Sequence, residues 1–160
     1  MIDYTEYVSA RLPALRRVAY LLCGDEHRAD DVVQVAITRL YTSWRRARDA
    51  DDLDAYARAV VVRTFLNEQR RSWARIRLVG RADDLPPAPA AAGPDLETRE
   101  QLRIALTRVP PRQRAVLVLR FLLDLPVAEV ARMLRCSEGT VKSQTSLGLA
   151  AVRRQLGAAQ

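Results

Sequence analysis

Lysine, histidine and cysteine are nearly missing from this chain of 160 residues, and the shortage of histidine and cysteine removes a class of function. Lys142 is the only lysine among 26 basic residues, and His27 is the only histidine. The two cysteines, Cys23 and Cys136, lie far apart in the sequence and have no Cys/His cluster around them. Zinc modules and disulfide frameworks need such clusters, so neither is predicted, and the isolated thiols suit a reducing cytoplasm.

Long apolar runs are also missing, since none approaches the roughly 20 residues of a membrane span. The first residues include Asp3 and Glu6 and lack the basic-then-apolar pattern of a leader peptide. No phosphate-binding glycine loop, nucleophile elbow or catalytic Cys/His spacing occurs. No stretch alternates as a β-strand does. The sequence therefore predicts a cytoplasmic, all-α protein that is not an enzyme and needs no cofactor or metal.

Positive charge is what the chain has in excess, and it falls into two blocks. The formal net charge is +7, which suits a nucleic-acid partner. Residues 1–81 carry 15 basic and 11 acidic side chains, and residues 97–160 carry 11 and 5. Residues 82–96 carry three acidic side chains, no basic ones and four of the eight prolines, so they cannot continue a helix. We predict two small helical domains, 1–81 and 97–160, joined by a flexible Pro/Ala-rich linker at 82–96.

Three helices are predicted in the first domain from apolar residues at helical spacing. Gly24 and Asp25 end the first helix, and an acidic stretch precedes the third, for which Asp52 or Asp54 can provide the cap. The predicted ranges are 8–22, 29–44 and about 53–73.

The second domain ends in a predicted helix-turn-helix. Helices over 96–108 and 113–123, separated by Pro110 and Pro111, lead up to it. Val127, Val130 and Leu134 then mark one apolar helix face, and a second helix follows the turn. The outer face of that second helix opens with polar residues of the types that contact DNA in the major groove, namely Glu138, Thr140, Lys142, Ser143 and Gln144. DNA is therefore the leading candidate partner.

Three motifs, in this order around the linker, resemble the extracytoplasmic-function (group 4) sigma factors of bacterial RNA polymerase. They are RADDVVQVAITRLY at 28–41, VPPRQRAVLVLR at 109–120 and AEVARMLRCSEGTVKSQ at 128–144. The first is similar to region 2.2 of the family and the others to region 4, and VKSQT at 141–145 resembles an actinobacterial branch. The resemblance covers essentially the whole chain. It implies a sigma factor that binds core polymerase, recognises the −35 and −10 promoter elements and opens the −10 region.

The resemblance also implies partners on the polymerase. In the family, region 2.2 docks on the clamp helices of the β′ subunit and region 4 contacts the β flap, and an anti-sigma factor remains open as a further partner. The polar docking residues would be Asp30, Asp31, Gln34 and Arg39, with Val33 and Ile37 near or beneath them. Considered alone, the same residues fit an ordinary amphipathic helix with solvated carboxylates.

The third helix occupies the place of the family's regions 2.3 and 2.4, which melt and read the −10 element. This task needs a basic track and surfaces for unstacked bases. Arg63 stands where asparagine is more usual in the family. Trp44 and Trp73 could stack on bases or simply pack between helices. The implied contacts are Tyr56, Arg58, Arg63, Asn67, Arg70 and Arg71.

The last helix resembles region 4.2, which reads the −35 element. Ser137 would cap it, Thr140 and Lys142 would contact phosphate or base, and flanking arginines would contact phosphate. Many relatives carry arginine in place of Gln144 and a basic residue near Leu147, which implies a different −35 preference. The implied contacts are Arg132, Arg135, Ser137, Thr140, Lys142, Ser143 and Gln144. The linker would thread toward the RNA-exit channel or act as a passive tether.

Three other interpretations fit parts of the sequence. A helix-turn-helix repressor or activator with a helical dimerisation domain would favour a palindromic site and need no polymerase. A sigma-like protein could act only as an interaction module. An enzyme would have to use His27, which has no evident metal or nucleophile partner. The acidic pair of the first motif and the acidic linker favour the sigma factor over the simple regulator.

Overall fold

The structure, a computed structural model, describes residues 2–79 and 94–158, with side chains at 2–71 and 97–157. Within these ranges the regular elements are helices and no strand occurs, so the all-α prediction is confirmed. The helices are α1 (Tyr4–Cys23), α2 (Glu26–Thr42), α3 (Trp44–Arg48), α4 (Leu53–Val79), α5 (Pro94–Thr107), α6 (Pro111–Leu117), α7 (Val127–Leu134) and α8 (Glu138–Ala158).

Short acidic residues and one glycine set the ends of the first two helices. The carboxylate of Asp3 accepts a hydrogen bond from the N–H of Glu6 (2.8 Å), and Asp25 accepts one from His27 (2.9 Å). Such bonds satisfy N–H groups that the first turn of a helix leaves unpaired. Gly24 ends α1 in the left-handed conformation, with a φ of 71°, which a residue without a Cβ adopts most easily.

The apolar faces of α1, α2 and α4 meet in the core of the N-terminal module. Phe65 and Leu40 are among its fully buried side chains. The second helix was expected to include Trp44, but α2 ends at Thr42 and Trp44 begins α3. The break occurs because Ser43 leaves the helical conformation, with φ at −107° and ψ at 17°.

Helix α4 begins where the acidic stretch predicts. The carboxylate of Asp52 accepts a hydrogen bond from the N–H of Ala55 (3.0 Å), which confirms Asp52 as a capping residue. The helix continues to Val79, past the predicted end near Trp73.

Proline begins two helices of the C-terminal module, because the first turn needs no N–H donor at that position. Helix α5 starts at Pro94, inside the segment predicted as linker, and α6 starts at Pro111. After α6 the chain makes a π-helical turn over Val118–Leu122. The N–H of Leu123 closes this turn on the carbonyl of Val118 (3.0 Å).

Helices α7 and α8 form the predicted helix-turn-helix. Arg135 turns the chain in a left-handed conformation, with a φ of 54°. The N–H of Cys136 then donates to the carbonyl of Ala131 (3.0 Å), which ties the turn to α7. Val130 and Val141 are fully buried and join the two helices in the core.

The two modules pack against each other, which was not expected from the sequence. The end of α1 meets α5, and α4 meets α6 and α7. Buried residues of both modules, such as Phe65 and Val116, belong to one apolar core. Residues 80–93, which include most of the predicted linker, lie outside the described residues.

Candidate DNA and polymerase interfaces

The start of α8 is a capped and exposed helix N-terminus. The Oγ of Ser137 accepts a hydrogen bond from the N–H of Thr140 (3.0 Å), which confirms Ser137 as the cap. The Oγ1 of Thr140 lies 2.9 Å from the same oxygen. The free N–H groups and the dipole of such a helix end favour an anion, so this position suits a DNA phosphate.

The outer side of α8 presents a short polar surface followed by an apolar residue. Lys142 and Ser143 are exposed, whereas Thr140 and Gln144 are half-buried at the edge of this surface. Leu147 lies four residues after Ser143, on the same side of the helix, and is 54% exposed. Leu147 is not among the predicted contacts, although its spacing from Ser143 marks it. An apolar side chain here can contact a thymine methyl group.

Two exposed arginines flank the turn between α7 and α8. Arg132 and Arg135 line a shallow groove together with Cys136, Ser137 and Glu138. Their positive charges add to the helix N-terminus as a site for phosphate. The structure thus brings every predicted contact of the C-terminal module to this turn or to the first two turns of α8.

Helix α4 carries most of its predicted DNA contacts on one side. Arg63, Asn67 and Arg70 occupy positions i, i+4 and i+7, which face the same way on a helix. Asn67, Arg70 and Arg71 are exposed. These arginines therefore form a basic strip in the second half of the part of α4 whose side chains are described. The strip also contains the amide of Asn67.

Two predicted contacts of α4 are engaged with α7. The Nε of Arg63 donates a hydrogen bond to the backbone carbonyl of Met133 (2.9 Å). The Nη1 of Arg58 lies 3.8 Å from the Oε1 of Glu129, on a different side of α4 from Arg63. Burial, and to a lesser extent the nearby Arg135, lower the pKa of the Arg63 guanidinium.

An exposed face of α2 carries the predicted acidic pair. Asp30, Asp31 and Gln34 are exposed, whereas Val33 is buried. Tyr41 lies seven residues after Gln34 and extends the same face, and it is 65% exposed. Tyr41 is not among the predicted residues, although its two-turn spacing from Gln34 marks it.

Arg39 does not join this face. Its Nη1 donates a hydrogen bond to the Oγ1 of the fully buried Thr64 in α4 (3.3 Å). Arg39 therefore braces α2 against α4. Asp30 differs, because its partner is a surface residue: the Oδ1 of Asp30 lies 3.5 Å from the Nε of Arg16.

Trp44 packs against aromatic neighbours. Its ring centroid lies 5.7 Å from that of Tyr4 and 5.7 Å from that of Tyr7. Edge and tilted ring pairs of this kind stabilise the junction of α1 and α3. The side chain of Trp73 lies outside the described side chains.

Residues 2–79 and 94–158 contain neither a metal-ligand cluster nor a membrane-spanning helix. No group of three or more His, Cys, Asp and Glu side chains there could hold a metal ion. Cys23 and Cys136 are free thiols, and burial raises the pKa of Cys23 to about 11. No helix in these ranges has the length and apolar character needed to cross a membrane.

Sequence comparison connects these surfaces with a known family. Residues 7–75 match sigma-70 region 2, and residues 99–152 match sigma-70 region 4. Over 159 residues the chain is 34% identical to the RNA polymerase sigma-E factor of Streptomyces coelicolor, a match that covers 98% of this chain and 87% of that protein. The chain belongs to the extracytoplasmic-function family of RNA polymerase sigma factors. It is also 31% identical to the sigma factor SigM of Mycobacterium tuberculosis, covering 89% of this chain and 71% of SigM.

The region 2 match contains the acidic face of α2 and the basic strip of α4, and the region 4 match contains the helix-turn-helix. As a sigma factor, the protein directs promoter-specific transcription initiation by RNA polymerase. The fold resembles that of the sigma factor RpoE from Bartonella quintana, solved in complex with the anti-sigma factor NepR. That match has a TM-score of 0.74, 21% identity and 99% coverage of both chains. The Streptomyces and Mycobacterium relatives agree with the predicted actinobacterial branch.

Proposed function

We propose that the sigma factor docks on core RNA polymerase through α2 and places α8 on the −35 element and α4 on the −10 element. The observation that carries the proposal is the capped N-terminus of α8, where Lys142 and Ser143 reach solvent beside Arg135. In helix-turn-helix proteins, a helix end of this kind enters the major groove of DNA. The working units would be domains 1–81 and 97–160, with the linker at 82–96.

At the −35 element, the N-terminus of α8 and Lys142 would hold the DNA backbone. Ser143 and Gln144 would then reach base edges, and Leu147 would contact a thymine methyl group. The half-buried position of Gln144 favours Ser143 and Leu147 as the residues nearest the bases. Arg132 and Arg135 would contact phosphate and set the orientation of the module.

At the −10 element, the strip on α4 would hold the separated strand. Asn67 can form hydrogen bonds with a base edge or the backbone, while Arg70 and Arg71 offer charge to the phosphates. All three are exposed. Arg58 and Arg63 would join them once they are free of α7. The packing of Trp44 among tyrosine rings removes it from the candidates for base stacking.

On the polymerase, the acidic face of α2 would meet the basic clamp helices of β′, because opposite charges orient such encounters. Tyr41 would add an aromatic contact, the type of side chain that often contributes most at protein interfaces. The C-terminal module would contact the β flap through its exposed apolar pair, Phe121 and Leu122, which are 52% and 39% exposed.

Further parts of the proposal concern setting and control. The protein would act without catalytic residues of its own, in the cytoplasm where polymerase and promoter DNA meet. An anti-sigma factor would be a third partner. The fold shared with RpoE, which was solved with the anti-sigma factor NepR, supports this partner class.

Co-purification with sigma-free core polymerase tests the docking proposal. The wild type should bind the core stoichiometrically, and Asp31→Arg should abolish binding because it reverses one charge on the exposed face of α2. The matched control is Asp51→Arg, the same change at an exposed aspartate before α4. The control should bind the core like the wild type.

The outcomes separate the alternatives. Loss of binding for Asp31→Arg with retention for Asp51→Arg supports docking through α2. Equal binding by both variants would move the interface elsewhere on the protein. No binding of core by the wild type, together with tight DNA binding by the free protein, would favour the simple helix-turn-helix regulator.

A further inference from the structure

Helix α8 has no charged side chain in the segment that follows its first turn. Residues 143–152 are SQTSLGLAAV, and none of them is ionisable. Lys142 precedes this segment and lies about 140° around the helix from Leu147, since each residue turns the helix by about 100°. Arg153 follows the segment, about four turns past the start of α8. The bidentate reading of guanine by arginine or lysine is therefore not available to the side of α8 that carries Leu147.

The polar side chains of this segment offer little base selectivity. Thr145 is half-buried, and its Oγ1 donates to the carbonyl of Val141 (2.7 Å). Gln144 is half-buried as well, whereas Ser143 and Ser146 are exposed. A serine hydroxyl can donate or accept, so it serves a donor or an acceptor on a base edge equally well. The exposed hydroxyls therefore do not by themselves distinguish one base from another.

Leu147 adds an apolar group beside one of these hydroxyls. It is 54% exposed and lies one turn after Ser143. Side chains one turn apart have Cβ atoms about 5–6 Å from each other. A long side chain in a helix leans toward the N-terminus, so the isobutyl group of Leu147 covers the turn that contains Ser143. In the major groove a thymine presents a polar atom at position 4 and a methyl group at position 5. A hydroxyl and an isobutyl group at this spacing match that edge.

We propose that Ser143 and Leu147 read the 5-methyl group of a pyrimidine in the −35 element, either thymine or 5-methylcytosine. The inference rests on the proposed function, because it assumes that α8 enters the major groove. Leu147 forms no hydrogen bond, and Ser143 accommodates either the oxygen of thymine or the amino group of cytosine. The methyl group is therefore the feature that decides binding at this base pair.

This type of recognition makes promoter binding sensitive to a covalent mark on DNA. Burial of one methyl group against Leu147 changes the affinity about fourfold. A promoter with 5-methylcytosine at this position would then bind more tightly than the same promoter with cytosine. The base pairing of the two promoters is identical, so only the contact in the major groove differs.

Base analogues test the proposal one methyl group at a time. The probe is a fluorescein-labelled duplex that the full chain, bound to core polymerase, selects from a randomised library. Each thymine of this duplex is replaced singly by uracil, which removes only the methyl group. At a thymine that responds, the base pair is replaced by cytosine–guanine and by 5-methylcytosine–guanine, which differ from each other only in the methyl group. Fluorescence anisotropy gives the affinity for each duplex.

The expected result is a methyl preference that depends on Leu147. In the wild type, uracil at one thymine should weaken binding about fourfold, and cytosine should bind more weakly than 5-methylcytosine there by the same factor. Leu147→Ala should bind the methylated and unmethylated duplexes equally. The matched control is Leu102→Ala, which truncates a leucine on α5 that is 37% exposed. It should keep both preferences of the wild type.

Three results would overturn the inference. The first is equal binding of thymine and uracil at every position of the selected duplex. The second is a methyl preference that persists in Leu147→Ala, because another residue would then read the methyl group. The third is a response to uracil without one to 5-methylcytosine, because recognition would then require thymine itself.

Lys142→Glu separates failure of the inference from failure of the proposed function. This charge reversal should weaken binding of the selected duplex, because Lys142 is exposed near the N-terminus of α8. If it does so while uracil has no effect at any thymine, the methyl readout is wrong and the placement of α8 on DNA remains. If Lys142→Glu binds like the wild type, or if the library yields no enriched duplex, the placement of α8 is wrong and the inference fails with it.

Discussion

Helices α8 and α4 are both proposed to contact DNA, yet their contact surfaces differ in solvent exposure. The contact surface of α8 is capped by its own Ser137 and faces outward. The surface of α4 is divided: Asn67 and Arg70 are exposed, whereas Arg63 is bonded to α7. The same residue chemistry is therefore accessible on one helix and partly covered on the other.

The difference shows that the solvent exposure of a binding surface can depend on a part of the chain that is distant in sequence. Arg63 and Met133 are 70 residues apart in sequence, and no local pattern at either position predicts their contact. The function of α4 would thus depend on the relation between the modules, whereas that of α8 would depend on its own first turns.

The largest effect is expected at Arg114, which connects the modules. Its guanidinium donates to the carbonyls of Leu22 (3.1 Å), Thr107 (2.8 Å) and Val109 (2.9 Å). It also lies 5.6 Å from the ring centroid of Phe65. Arg114→Met should lower the free energy of unfolding by about 2–4 kcal/mol, because the carbonyls stay buried without their donor.

Thermal and denaturant unfolding measure this loss, with Arg108→Met as the control at a nearby exposed position. Burial lowers the pKa of Arg114 to about 10, which shows that the buried charge itself has a cost. Methionine removes that cost together with the three hydrogen bonds. An unchanged free energy of unfolding would mean that the cost of burying the charge equals the stabilisation from the three bonds.

Each module has one free thiol, and the reaction rates of these two thiols should differ by about two orders of magnitude. Cys23 is 5% exposed, and burial raises its pKa to about 11, so little thiolate is present near neutral pH. Cys136 is half-exposed in the turn before α8. A chromogenic disulfide reagent should modify Cys136 about a hundredfold faster than Cys23.

The variants Cys136→Ser and Cys23→Ser assign each rate to one thiol. Equal rates for the two thiols in the wild type would show that the interface is already open in solution.

A smaller and purely local effect on stability is expected at the N-cap of α8. Ser137→Ala removes the acceptor for the N–H of Thr140 (3.0 Å) and should cost about 1 kcal/mol of stability. The control is Ser146→Ala, an exposed position inside α8 where alanine favours the helix, and it should not destabilise. Denaturant unfolding of both variants gives the difference. A similar change for both would show that the cap bond contributes nothing in solution.

The features that could be predicted from sequence are those with local causes. Ser137 and Asp52 are caps because a short polar side chain can reach N–H groups two or three residues ahead. The helix-turn-helix follows from apolar spacing within 30 residues, and the acidic face of α2 follows from the same spacing. The family resemblance supplied the proposed roles, which spacing alone leaves open.

Two of the features that were missed, the contacts of Arg114 and Arg39, have distant causes. Arg114 belongs to a recognised motif, but its bond to Leu22 joins positions 92 residues apart, and nothing near either one indicates it. Arg39 was expected on the polymerase-docking face, yet it reaches Thr64 on another helix. Tyr41 and Leu147 had a usable signal in their helical spacing from predicted contacts.

The smallest effect concerns single charges on α8 and α4 in the free protein. Lys142 is exposed near the N-terminus of α8, so Lys142→Ala should reduce the salt dependence of duplex DNA binding by about one unit of slope. Arg63→Ala should leave the slope unchanged, because Arg63 is bonded to Met133. Arg154→Ala, at an exposed position late in α8, is the control for loss of charge alone. If Arg63→Ala lowered the slope as much as Lys142→Ala, α4 would already be accessible in the free protein, and the contrast between the two helices would not hold in solution.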